Sequence, residues 1–231
     1  RNRDAGHGTS LGQAFVLGNL ARAHEALGDL DGAQALLDEA LRTSNAVVGP
    51  DHARTRTLAL QGARVAFLRD PAHAAALQKL ATSMLEHPES LAQFRPRSEP
   101  EAHWALGLAQ QAQGDETAAG ATWKAAVTAL PTDRVDPLLL PLVAALADYE
   151  RTHGDRDAAV ALLKNYIERG TREFGATHYA VGLLHLEMAQ MDRGATRAEL
   201  DAADAAFADL PKDHPWRVRA AVLRQATSQA N

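Results

Sequence analysis

The chain has 231 residues, 46% of them hydrophobic but only 5% aromatic, with no cysteine and a formal net charge of −5 from 24 basic and 29 acidic side chains. The acid excess argues against nucleic acid as the main partner, since phosphate binding needs a basic stripe. The missing cysteines exclude disulfides, thiolate metal sites and a cysteine nucleophile, and no apolar run approaches the ~20 residues of a bilayer-spanning helix.

Residues 1–9 are polar, follow neither an initiator Met nor a signal peptide, and read as a linker or the remnant of a preceding segment. The expectation is a piece cut from a larger protein whose partner domain lies upstream. Helical periodicity then predicts helices at 10–27 and 31–44, 52–68 and 71–86, 100–113 and 116–129, 138–153 and 156–170, and 178–192 and 196–210. Pro71 suits the first turn of its helix, and Thr196-x-x-Glu199 is a capping-box pattern. The segment His87–Pro100, with three prolines, is the longest break and the expected place for a bend or inserted loop; its Phe94 either packs down or serves as a contact. A last helix at 214–228 places Trp216, Ala220 and Leu223 on one face, as a cap on the preceding pair.

The pairs repeat. Leu20-Ala21, Gly28-Asp29, Ala33, Leu37 and Ala40 recur as Leu106-Gly107, Gly114-Asp115, Ala119, Trp123 and Ala126, followed by Pro131. They recur again as Leu146-Ala147, Gly154-Asp155, Ala159, Leu163 and Tyr166. Ala33, Ala74, Ala119, Ala159 and Ala203 are spaced about 42 residues apart, the signature of a stacked array. The small residues belong where two helices cross, and the larger residue four positions on fills the space beside them. Each Gly supplies a left-handed helix end and each Asp caps the next helix. Repeats are expected at 10–48, 52–88, 100–131, 138–171 and 178–211, forming one domain over 10–231.

The residues Leu106, Gly107, Ala119, Trp123, Ala126 and Pro131 resemble the signature of the tetratricopeptide repeat family. Gly49-Pro50-Asp51-His52, echoed by Gly175-Ala176-Thr177-His178 and Asp213-His214-Pro215, is similar to the longer repeats of the kinesin-light-chain type. The resemblance implies an all-α solenoid of about five helical hairpins plus a capping helix in a right-handed superhelix. It also implies a protein-interaction or sensing role. In bacteria such repeats accompany serine/threonine kinases, STAND-type ATPases and transcriptional regulators.

The resemblance further implies a groove lined by the first helix of each pair. By register its partner-binding residues are Phe15, Arg22, Glu25, Arg56, Trp104, Gln111, Asp148, Arg151 and His185, with Ala26, Ala59, Ala63, Phe67, Glu101, Leu108, Ala144, Thr152 and Met188 beside them. Kinesin-light-chain-type repeats often carry Asn at inward positions; here Asn19 alone falls near one. Trp104 has two readings, since Trp123 already fills the core position of that repeat: it is extra core or an exposed anchor. The arginines and carboxylates either mark a mixed-charge groove or belong to solvated faces with weak local pairs.

Catalysis finds little support. The ten histidines are scattered, and no His-Glu-x-x-His pair, phosphate loop or nucleophile elbow appears. His52, His178 and His214 recur at helix starts and read as repeat furniture, while His24 reads as a packed residue. The expectations are no catalytic residues, no metal, no cofactor, a protein or peptide partner, no membrane contact and weak self-association. The compartment, cytoplasmic or periplasmic, stays open. A peptide or small-molecule sensor and a structural or self-association domain are the alternatives.

Overall fold

The computed structural model describes residues 10–87, 95–191 and 196–229, the side chains of residues 95 and 96 excepted. The expected linker at 1–9 and Phe94 lie outside the described residues. Among the described residues there are eleven α-helices and two short 3-10 turns, with no strand. The chain divides into two compact units, 1–113 and 114–231.

The first unit holds α1 (Leu11–Ala26), α2 (Leu30–Val48), α3 (Ala53–Arg69), α4 (Ala74–Glu86) and α5 (Arg95–Ala112). Ser10 starts α1 by accepting the amide of Gln13 at 3.1 Å, and Asp29 starts α2 by accepting that of Gly32 at 2.9 Å. Gly28, at φ 80°, makes the turn between them. Ala14, Ala21, Ala33, Leu37 and Ala40 form the interior of this hairpin, with Leu58 and Val65 entering from α3. A buried hydrogen bond of 2.7 Å between the Ser44 and Thr55 hydroxyls ties α2 to α3. A second core joins Leu60 and Phe67 of α3 to Leu77, Ala81 and Met84 of α4 and Ala102, Ala105 and Ala109 of α5.

The second unit holds α6 (Glu116–Thr128), α7 (Leu140–His153), α8 (Arg156–Phe174), α9 (Tyr179–Met191), α10 (Thr196–Ala206) and α11 (Pro215–Gln229). Trp123, Ala159 and Leu163 are fully or almost fully buried, as their place in the repeat requires. Trp216 and Leu223 of α11 pack on a core containing Leu186, Leu200, Ala203, Phe207 and the fully buried Ala220. This is the face expected of a capping helix.

Several expectations change. Helix α5 begins at Arg95, five residues before the expected start, and carries Pro100 inside it. The break therefore ends sooner than its three prolines suggested; Pro96 sits in the first turn, where a missing N–H costs little. Helices α2 and α8 each run a turn longer, ending at Gly49 (φ 85°) and Gly175 (φ 90°). Gly154 is not left-handed: φ is −133°. The carboxylate of Glu150 fills the space its side chain would take and accepts the amide of Asp155 at 3.1 Å. His24 is not packed inside but meets the Asp29 carboxylate at 2.7 Å.

Candidate interaction site

The first helices of the first unit lie side by side, and their polar residues bond across them. Arg22 of α1 reaches Glu101 of α5 at 2.8 Å, with Glu101 almost completely buried. Gln61 of α3 presents its side-chain amide to the Arg22 guanidinium, and with the amide oxygen on that side it accepts from Nε at 3.2 Å. Arg64 of α3 forks onto Glu25 of α1, Nη1 to Oε1 and Nη2 to Oε2, the latter at 2.9 Å. The same guanidinium lies over the Trp104 ring of α5, 4.5 Å from its centroid. Arg22 Nη1 and Glu101 Oε2 are buried with no partner among the described residues.

This cluster follows from local sequence. Gln61 and Arg64 fall among the apolar positions Leu58, Leu60, Val65 and Phe67, so the helix carries them into the interior with these. Burying a guanidinium requires a paired, hydrogen-bonded carboxylate. Glu25 and Glu101 supply one each. The result is neither a set of solvated local pairs nor an open mixed-charge groove, since the pairs join different helices and are mostly buried.

The other expected residues are dispersed. Phe15 is 51% exposed on α1, with Arg54 of α3 above its ring at 5.1 Å. Arg56 donates from Nη2 to the Ser83 carbonyl at 2.9 Å and hydroxyl at 3.2 Å. Gln111 is exposed on α5. Trp104 is half-buried, so it is both a packed residue and a partly open one.

In the second unit Asp148 and Arg151 pair with each other within α7 at 2.5 Å. His185 of α9 meets Glu199 of α10 at 2.6 Å. Helical register does not single out a further polar contact here, the fork from Arg219 of α11 onto buried Glu187 of α9 at 2.6 and 2.9 Å. Burial pushes the Glu187 carboxyl up, while Arg219 pulls it down. Register singles out none of Gln61, Arg64 and Glu187 as a partner across helices. Their signal is a polar residue at a position that helical periodicity assigns to the interior.

The recurring histidines have a defined job. Nδ1 of His52, His178 and His214 accepts the amide two residues on, at 3.2, 3.3 and 3.2 Å. Each opens a helix as a cap. Burial holds the His178 imidazole below its ordinary value, which suits an acceptor nitrogen. Among the described residues no cluster of three metal-ligating side chains occurs, and no helix is long and apolar enough to cross a membrane.

Against known proteins, the tetratricopeptide repeat family model matches residues 16–54, the first hairpin and the start of α3. The nearly identical TPR-like repeats of a kinesin light chain candidate from Podosopora anserina superpose with a TM-score of 0.52 at 17% identity, covering 96% of this chain and 99% of that one. The chain has the tetratricopeptide-repeat fold. A point variant of the same fungal protein gives 0.53 at 16% identity, with 96% and 98% covered. No curated protein matches the sequence. Repeats of this fold indicate a protein-interaction module and are typically non-catalytic.

Proposed function

We propose that the face of the first unit made by α1, α3 and α5 is the docking surface for a protein or peptide partner. The observation that carries it is the half-buried Trp104 ring, held by the buried Arg64 guanidinium that Glu25 braces. Tryptophan is prominent among the residues that dominate interface energetics, and a ring already held in place loses little freedom on binding. Phe15 adds an exposed aromatic ring. Because Glu101 and Glu25 neutralise Arg22 and Arg64, affinity rests on aromatic and apolar contact more than on net charge. Asp148, Arg151 and His185 are candidates for a separate contact on the second unit.

Pull-down with the whole chain supplies the partner. Trp104→Ala and Phe15→Ala, checked for helicity, then weaken capture by tenfold or more, on the scale of about 1.4 kcal/mol or above. Glu39→Ala and Arg42→Ala, on the exposed side of α2, leave it unchanged. The reverse pattern refutes the assignment. The finer reading, a part of a bacterial signalling protein such as a serine/threonine kinase, rests on the repeat type and is tested by the full reading frame.

A further inference from the structure

A cavity of about 380 Å³ opens between the loop before α3, helix α3 and helix α4, lined among others by Asp51, Arg56, Ala59, Leu80, Ser83 and His87. It lies at the end of the α3–α4 hairpin away from its turn, since Asp51 precedes α3 and His87 follows α4. We propose that this cavity binds a monoanionic carboxylate on Arg56, with the ligand's apolar part against Leu80 and Ala59.

The charge balance of the unit points there. On α1 and α3, Arg22 faces Glu101, Arg64 faces Glu25 and Arg69 faces Asp31, while Arg54 lies over the Phe15 ring. The described hydrogen bonds of Arg56 go instead to two neutral oxygens, the carbonyl and hydroxyl of Ser83. Both use Nη2, so the guanidinium is anchored while Nε and Nη1 have no described partner. An anchored guanidinium offers a carboxylate a charge-assisted donor, Nε–H or Nη1–H, without first losing side-chain freedom. The anchor has a local cause: Ser83 lies in the last turn of α4, where carbonyls lack intrahelical donors.

The lining sets the ligand class. Leu80 and Ala59 suit a short aliphatic group. Asp51 in the same lining disfavours a dianion, so a carboxylate fits better than a phosphate. Such a carboxylate comes from a free organic acid or from the C-terminus of a peptide.

The experiment uses the whole ¹⁵N-labelled chain and N-acetyl-leucine, with N-acetyl-leucinamide as the uncharged match. The acid shifts the Ala59, Leu80 and Ser83 amides and the Arg56 side-chain Nε–H; the amide does so at least tenfold more weakly, as loss of a charge-assisted hydrogen bond requires. Arg56→Gln removes the acid's advantage. Arg56→Lys, which keeps the charge, retains part of it, separating loss of the site from loss of folding. Tighter binding of Ala-Ala-Leu with a free carboxylate assigns the site to a chain terminus, and equal binding to small acids. Equal shifts by acid and amide, acid shifts confined to other residues, or tighter binding of phenyl phosphate overturns the proposal. Trp104→Ala leaves this cavity intact, so failure here and failure of the docking face are told apart.

Discussion

Gly182→Ala probes a close helix crossing of the second unit, between α9 and the end of α10. Gly182 lies in the first turn of α9, against the end of α10. A Cβ there would stand 2.5 Å from the Cβ of Ala206 and 2.8 and 3.2 Å from ring atoms of Phe207. Non-bonded carbons prefer about 3.5–4.0 Å. The Ala206 Cβ cannot rotate away, and Phe207 is completely buried, so α9 and α10 must part by roughly an ångström. Overpacking of this kind costs about 1–3 kcal/mol. Alanine returns at most about 1 kcal/mol of helix propensity, and less in a first turn. The net loss is about 1–2 kcal/mol, a fall in Tm of roughly 2–8 °C for a chain of this size. Gly62→Ala is the control: its new methyl would meet Gln34 Nε2 at 3.7 Å and Leu37 Cβ at 4.0 Å, ordinary contacts. That variant keeps the propensity gain and melts at or above the parent. Thermal unfolding by circular dichroism measures both. Tryptophan fluorescence adds a second signal, to which Trp216 contributes from beside Phe207, with ring centroids 5.8 Å apart. If Gly182→Ala melts no lower than Gly62→Ala, the α9–α10 crossing is not as close as the structure has it.

Other perturbations test the polar contacts. Arg219→Ala strands the buried Glu187 carboxylate and costs about 3 kcal/mol at neutral pH, the low end for a buried pair because Arg219 is partly exposed. A carboxyl whose folded pKa is raised stabilises the fold most below its unfolded value and loses that contribution as the pH rises. The deficit therefore shrinks as the pH falls toward 4.5, and urea titrations showing a pH-independent deficit exclude this role for Glu187. For His178 the sign is opposite: a depressed imidazole pKa gives stability above 6.5 that is lost as the pH falls through and below that value. His178→Asn keeps an acceptor for the Ala180 amide but does not titrate, so its Tm drops less than the parent's between neutral and mildly acidic buffer; identical drops refute a burial-depressed titration of His178.

Local sequence suffices to place the helices, most of their caps and the small residues at their crossings. Gly28-Asp29 and Gly114-Asp115 make left-handed turns with an Asp cap, and Ala33, Ala119 and Ala159 are fully buried. These are local properties, set by backbone conformation at one residue or by periodicity along one helix. Even the histidine caps were legible as a recurrence, although their hydrogen bonds were not. The tertiary structure alone decided which side chains meet. Arg22 finds Glu101 79 residues away, and Arg64 settles between Glu25 and Trp104. Successive residues of a helix point about 100° apart. A small rotation of one helix against its neighbour therefore decides whether Arg64 faces water or a carboxylate, and nothing within α3 fixes that rotation. The same holds at Gly154, where the Glu150 carboxylate overrode the turn that Gly-Asp favours, and at Arg56, where the end of α4 placed an acceptor beside a cation.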